Sequence, residues 1–347
     1  MKMLVYGDLH WSQYSSIVRE RGLYFSTRLQ NNIDSLDWVE TLSYEKGCEK
    51  VICVGDFFDK ADLNSEEITA LSKIKWNNYA QHYFLVGNHE MGTNDLQFSS
   101  TEFFSSLGFN VIKFVDYEKI DDNLGLIFLP YLVKDRRSTI KDYVDKLTVD
   151  DPASNYVIFS HNDISGIQYG QFISKEGFDI KDISDNCKLF INGHLHNQTV
   201  ISEKIINLGN LTGQNFSEDS YKYSHCAMIL DTDTLTYELV VNPHALNFYK
   251  IEIHDESDLS KLHKLDNNAV VSIKCLLDLA PTVRRECEVI LFNKISQFRI
   301  ITFSENKKAD TIDISSLAKL DHIESFKKYI SNSIDNSDIL ESELSLL

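Results

Sequence analysis

Five times in the first two hundred residues, a short apolar run gives way to glycine or serine and then at once to aspartate, asparagine or histidine. The five junctions are Gly7-Asp8-Leu9-His10, Gly55-Asp56-Phe57-Phe58-Asp59, Gly87-Asn88-His89-Glu90, Ser160-His161-Asn162 and Gly193-His194-Leu195-His196. The runs leading into them are Met3–Tyr6, Val51–Val54, Tyr83–Val86, Tyr156–Phe159 and Leu189–Ile191, and Val111–Phe114 and Leu126–Leu129 have the same character. Such short apolar runs bounded by turn residues read as buried strands. Helical periodicity fills much of the gaps, over Leu29–Tyr44, Ser65–Tyr79, Thr101–Leu107 and Thr139–Leu147, each opened or preceded by polar capping types. Strands separated by helices predict βαβ units and a layered α/β domain. From Thr199 to Asn242 the pattern changes to short strands with turns, at Ile205–Leu208, Ala227–Leu230 and Leu235–Val241. These are expected to form a second sheet that completes a sandwich.

Asn242-Pro243-His244 marks an expected boundary. Beyond it, strands at Phe248–Ile253, Ala269–Lys274 and Phe298–Phe303 and helical pattern at Asp258–Leu265 and Val283–Lys294 describe a small α+β module. The last segment carries Leu317, Leu320, Ile323, Phe326 and Ile330 at helical spacing, with only acidic charge after Lys328. The expected division is therefore 1–243, 244–305 and a helical tail over 306–347.

The five junctions place Asp, Asn and His at the carboxyl ends of strands, where open α/β sheets bind their ligands. A lone Asp or His at a strand end more often caps a loop, and His82, His225, His244, His254, His263 and His322 receive that reading. Five motifs in order are a different matter. Imidazole together with carboxylate favours Mn, Fe or Zn over Mg or Ca. A pair of such ions about 3.5–4 Å apart requires a bridging carboxylate and activates water for in-line attack on phosphorus. The motifs supply Asp8 and Asp56 as carboxylates. Asp59 lies three residues beyond Asp56, where shaping the loop is a sufficient role.

The series GDxH, GDxxD, GNHE, an isolated His and GHxH resembles the calcineurin-like metallophosphoesterase superfamily, over residues 7–196. The resemblance implies a two-sheet α/β sandwich with a dinuclear site. It implies one divalent ion held by Asp8, His10, Asp56 and His196 and a second by Asp56, Asn88, His161 and His194, with Asp56 bridging, manganese the favoured metal, and His89 as the acid for the leaving oxygen. Within the superfamily the chain is similar to the SbcD-type DNA repair nucleases and their phage recombination relatives. The catalytic domain begins at residue 1, the segment Ile206–Thr212 follows the last motif as a strand end, and an α+β module and tail come after. That similarity implies a homodimer, a capping domain, a tail docking on the coiled coil of an SbcC-type ATPase, and DNA as substrate.

Departures matter too. These nucleases usually read GNHD where this chain has Glu90, and the extra histidine that many of them carry after the second motif is missing. Protein phosphatases also read GNHE, but they place an arginine after the second motif to grip a phosphomonoester. Here Asp56–Asp62 contains only Lys60, a point charge without a bidentate fork. That favours diesters. The net charge of −18 opposes a stand-alone DNA binder and is compatible with a cleaving subunit whose partner carries DNA affinity. Lys134, Arg136 and Arg137, and Arg284 and Arg285, form basic clusters most simply read as solvated faces, and the loop from Asp163 to Lys181, with Tyr169 and Phe172, is a candidate lining of the cleft. No apolar run approaches the ~20 residues of a membrane span. The N-terminal run is too short for a signal peptide. The six cysteines show no CxxC spacing. A cytoplasmic protein with reduced thiols, in a host cytoplasm if the chain is viral, is the expectation.

Overall fold

The structure, a computed structural model, describes residues 1–15, 24–94, 98–169, 172–266, 268–291 and 295–303. In chain order its strands are β1 Lys2–Tyr6, β2 Lys50–Cys53, β3 Gln81–Leu85, β4 Asn110–Ile112, β5 Asp116–Lys119, β6 Leu124–Leu129, β7 Asn155–Ser160, β8 Gln168–Tyr169 and β9 Phe172–Ile173. They continue with β10 Leu189–Asn192, β11 Thr199–Val200, β12 Ile205–Asn207, β13 Cys226–Asp231, β14 Thr236–Val241, β15 Asn247–Ile253, β16 Ala269–Leu276 and β17 Ile295–Phe303. The helices are α1 Thr27–Glu45, α2 Ser65–Leu71, α3 Glu102–Ser106, α4 Ile140–Leu147, α5 Ile180–Asn186 and α6 Ala280–Leu291.

Two six-stranded sheets face each other, ordered β14-β13-β1-β2-β3-β4 and β11-β12-β10-β7-β6-β5. In the first, β1 to β4 run parallel; in the second, β12, β10, β7 and β6 do. Alternation along β1 explains the layering. Met3 and Val5 join Ile52, Leu85, Phe128, Phe159 and Ile191 in the core between the sheets. Leu4 and Tyr6 point the other way, with Val51, Cys53 and Phe84, onto Leu29, Leu36 and Val39 of α1. The outer face of the second sheet is covered by Ile140 and Val144 of α4 and Ile183 of α5. Parallel strands buried on both faces carry near-continuous apolar runs, which is why those segments were legible.

The expected sandwich is therefore present, but its strands are dealt differently. β13 and β14 do not build the second sheet; they extend the first, antiparallel to β1. The second sheet is built instead from β5, β6, β7 and β10 to β12. Periodicity identifies a strand but not its neighbour, and here β13 pairs with a strand more than two hundred residues away. The Ser65–Tyr79 helix stops at Leu71, after which Asn77 donates its N–H to Glu40 Oε2 at 2.8 Å. The strand over Val111–Phe114 ends at Ile112, leaving Phe114 exposed. The helical pattern at Asp258–Leu265 is a 3-10 helix, Glu256–Lys264.

After β14 the chain starts a separate three-stranded sheet, β15-β16-β17, whose core includes Ile251, Ile273, Val283 and Cys287. Residues 1–302 form one compact unit. The tail expected over 306–347 lies outside the described residues. Among the described residues no helix is long and apolar enough to cross a membrane. All six cysteines are buried.

Candidate metal centre

The loops that follow β1 and β2 continue the strands' parallel ladder. Asp8 N–H donates to Gly55 O and His10 N–H to Asp56 O, both at 3.0 Å. Side chains stitch on the remaining loops. Both carboxylate oxygens of Asp8 accept from His194 N–H at 3.0 Å, joining the first sheet to the second. Asp56 Oδ1 accepts from His89 N–H at 3.0 Å, joining the second loop to the third. Close approach leaves no room for a side chain at Gly55, where φ is +99° and a Cβ would overlap the His161 ring, or at Gly87, where it would overlap the Asp56 carboxylate.

The eight motif residues, Asp8, His10, Asp56, Asn88, His89, His161, His194 and His196, come together. Asp8, His10 and His196 offer ligand atoms within 4.8 Å of one another, and so do Asp56, His161 and His194; His10, Asp59 and His89 make a third such group. Asp56 Oδ2 lies 3.1 Å from His161 Nε2 and 3.9 Å from His10 Nε2, so one carboxylate oxygen reaches both groups. Asn88 Oδ1 sits 3.2 Å from His161 Nε2 and 2.9 Å from His194 Nδ1, within the second group. The rings of His10 and His89 meet edge to face at 4.6 Å. Four of these residues, Asp8, His10, Asp56 and His194, have positive φ between 47° and 75°. That left-handed backbone costs a non-glycine residue roughly 1–2 kcal/mol each, and it persists where surrounding structure over-determines it, as at functional sites.

Each of the four clustered histidines is pinned at one nitrogen by an outer oxygen. His161 Nδ1 is 2.7 Å from Val54 O, His10 Nδ1 3.2 Å from Asp59 Oδ1, His194 Nε2 3.2 Å from Asp163 Oδ1, and His196 Nδ1 3.3 Å from Glu218 Oε1. Such partners fix the tautomer and turn the other nitrogen toward a metal. His10 Nε2 is buried without a hydrogen-bond partner, a cost that a bound cation would remove. The donor set, the shared Asp56 oxygen and this orphan nitrogen fit two divalent ions.

Three of the outer oxygens went unassigned in the sequence. Asp59 does more than shape its loop: it binds His10, and its own carbonyl accepts from His89 Nδ1 at 2.9 Å. Asp163 stood two residues beyond His161, a signal that was available. Glu218 is far from any motif and carried none. Glu90, the departure from the nuclease pattern, is fully buried and accepts from Gly87 N–H at 2.5 Å and Phe58 N–H at 3.0 Å, tying the second loop to the third.

The electrostatics follow from this packing. Burial alone would push the His161 imidazole down, but the Asp56 carboxylate, with Asp8 behind it, outweighs burial and lifts it to about 10. Burial would raise Asp56, yet the facing His161 and His10 hold it well below the ordinary carboxylate range. Asp8 is raised, by burial first and by the neighbouring Asp56. Burial lowers His10. Burial would lower His196 as well, but its bond to Glu218 raises it.

A calcineurin-like phosphoesterase family model matches residues 1–211. The chain belongs to the calcineurin-like phosphoesterases. Among solved structures, this phosphoesterase is similar to the calcineurin-like phosphoesterase YfkN from Bacillus subtilis, at 9% identity over 70% of this chain and 88% of that one, with a TM-score of 0.38. It is also similar to a dimetal phosphatase from Danio rerio, at 12% identity over 70% of this chain and 98% of that one, with a TM-score of 0.39. No curated protein matches the sequence. The phosphoesterase is a metal-dependent hydrolase of phosphate esters. Divalent ions bound between these side chains supply Lewis acidity and an activated water. The protein's own contribution is to hold the ligands in fixed orientation and to keep a half-exposed imidazole, His89, at the rim.

Proposed function

We propose that this phosphoesterase cleaves phosphodiesters of DNA, as the nuclease subunit of an ATPase-coupled repair or recombination complex. What supports the choice of diester is that Lys60, Arg137 and Arg28 are already engaged, while Arg136 lines a neighbouring cavity whose walls include none of the clustered residues. Lys60 pairs with Glu67 at 3.7 Å, and Arg137 pairs with Asp163 at 3.2 Å. Buried Arg28 donates to the carbonyls of Gly213 and Leu9 at 2.8 and 3.2 Å. A phosphomonoester dianion calls for a bidentate guanidinium, and a diester monoanion does not. Asp8, His10, Asp56 and His196 would hold one ion, and Asp56, Asn88, His161 and His194 the other; the mixed imidazole and carboxylate set suits manganese, iron or zinc, and manganese is the one that the nuclease resemblance favours. His89 serves as the acid. Its Nδ1 donates to the Asp59 carbonyl, so Nε2 is the nitrogen left for the leaving oxygen, and it has a proton to give only in the imidazolium form.

The partner reading rests on charge and sequence. A net charge of −18 leaves the DNA affinity to another chain, and the apolar spacing of Leu317, Leu320, Ile323, Phe326 and Ile330 suits a groove on a coiled coil. The domains 1–243, 244–305 and 306–347 would then act as nuclease, cap and docking tail of a homodimer. The test is purified protein with Mn2+, assayed on labelled DNA, on a phosphodiester and on the matching monoester, with and without a coiled-coil ATPase. Faster diester than monoester hydrolysis together with DNA cleavage is expected. Preference for the monoester and no action on DNA would favour a stand-alone phosphatase of nucleotides or phosphoproteins. Truncation after residue 310 should abolish ATPase binding and spare cleavage of short DNA.

A further inference from the structure

Next to the second group of ligands the loops open a cavity of about 160 Å³. A void of ~150 Å³ takes one benzene-sized ring. Its walls include Phe114, Tyr131, Met91 and Leu132, with Lys113 and Arg136 among its lining residues. The backbone explains why they meet. Phe114 stands two residues beyond the end of β4, and Tyr131 two beyond the end of β6. The Tyr131 N–H donates to Val86 O at 2.8 Å, which binds the exit of β6 to the exit of β3. Tyr131 is thereby shared between cavity and cluster. Its ring centroid lies 5.7 Å from that of His194 and 6.5 Å from that of His161.

A phenylalanine 65% exposed is unremarkable when isolated on a surface. Here it lines a cavity with a second aromatic ring that itself touches the cluster. The charges are also specific. Lys113 is paired with Glu102, but exposed Arg136 has no acidic partner among the described residues, in a chain carrying 52 Asp and Glu against 34 Lys and Arg. Aromatic faces beside an unpaired guanidinium are what single-stranded nucleic acid uses, stacking its bases on the rings and laying phosphate along the cation.

We propose that this cavity is a nucleobase subsite, in which Phe114 and Tyr131 stack the base of a nucleotide flanking the scissile phosphate and Arg136 meets the adjoining backbone phosphate. The proposal rests on the diesterase reading above and names the substrate as a strand with an unstacked base. A small ester isolates the contact. Thymidine 5′-(p-nitrophenyl phosphate) and methyl p-nitrophenyl phosphate share a leaving group and differ only in the nucleoside. The wild-type protein should prefer the thymidine ester in kcat/KM. Phe114→Ala should reduce that preference by about 5- to 150-fold, the worth of one stacked base, and Phe114→Trp should restore it. No preference in the wild type, or a preference that survives Phe114→Ala, overturns the subsite. Cleavage of DNA in the same preparations reports separately on the nuclease reading. If the thymidine preference holds and DNA is not cut, the subsite stands and the nuclease assignment falls.

Discussion

Asp56 carries more of the site than any other residue. One of its oxygens reaches toward His10 and His161, and the other accepts the His89 N–H. Removing an outer partner of a metal ligand costs about 10- to 100-fold, and removing a shared carboxylate should cost more. Asp56→Ala should therefore lose over about 100-fold in hydrolysis with every metal tried. His10→Ala, which removes one terminal donor, should be milder. Equal rate losses in a side-by-side assay would remove the special role of Asp56. His89 is the contrasting residue. It lies outside the groups that contain Asp8 and Asp56, although it offers a ligand atom within 4.8 Å of those of His10 and Asp59. His89→Ala should keep its metal, measured by elemental analysis, while turnover falls by about 10²- to 10⁴-fold, the usual worth of general acid catalysis. A variant that also loses metal would make His89 a ligand.

The loops between strands and helices are the elements that turn a sandwich into a site. They are held by buried polar contacts together with fully buried apolar anchors, Leu9, Trp11, Phe57 and Phe58. Glu90 is the clearest case, with two backbone donors, Gly87 and Phe58, depending on it. Burial pushes its carboxyl up to about 8, against those two bonds. Glu90→Ala would leave two buried N–H groups without an acceptor, at about 1–3 kcal/mol apiece. Urea denaturation of the metal-free protein should show a loss of roughly 2–5 kcal/mol. A loss below about 1 kcal/mol would mean that these loops are held by something else. The element scale is also where sequence reading fell short. Ser65–Tyr79 has helical periodicity throughout, yet the helix gives way after Leu71 because Asn77 is claimed by Glu40 and Ser43. β5 and α5 were not anticipated. β5 is an edge strand with no buried residue, so it lacks an apolar run, and α5 is only seven residues long.

For the whole molecule, the clustering of charge ties stability, metal and pH together. His161 is lifted to about 10, so in the metal-free protein it adds stability that is complete below its unfolded value of 6.5 and lost as pH rises toward 10. Glu90, raised to about 8, and His196, raised by Glu218, act in the same sense as His161, whereas His10 and His225, lowered mainly by burial, act in the opposite sense, but only below 6.5. The buried thiols, raised by burial, weaken the fold only near and above pH 9. Between pH 6.5 and 8.5 the metal-free melting temperature should therefore fall, while the increment on adding Mn2+ should grow, because metal must displace the His161 proton. Calorimetry in buffers of different ionisation enthalpy should register proton release on binding. A metal-free melting temperature that is flat or rising over this range would contradict the Asp56–His161 coupling. The sequence by itself determined the strands that end in ligands, the residue types gathered there and hence the family, because a buried parallel strand writes a continuous apolar run and its carboxyl end must carry whatever the site needs. Only the tertiary structure decided that β13 and β14 join the first sheet, that Asp59, Asp163 and Glu218 orient the histidines, and that Phe114 and Tyr131 share a cavity. Those are contacts between residues up to about two hundred positions apart, and local periodicity holds no record of which distant side chain will fill a given space.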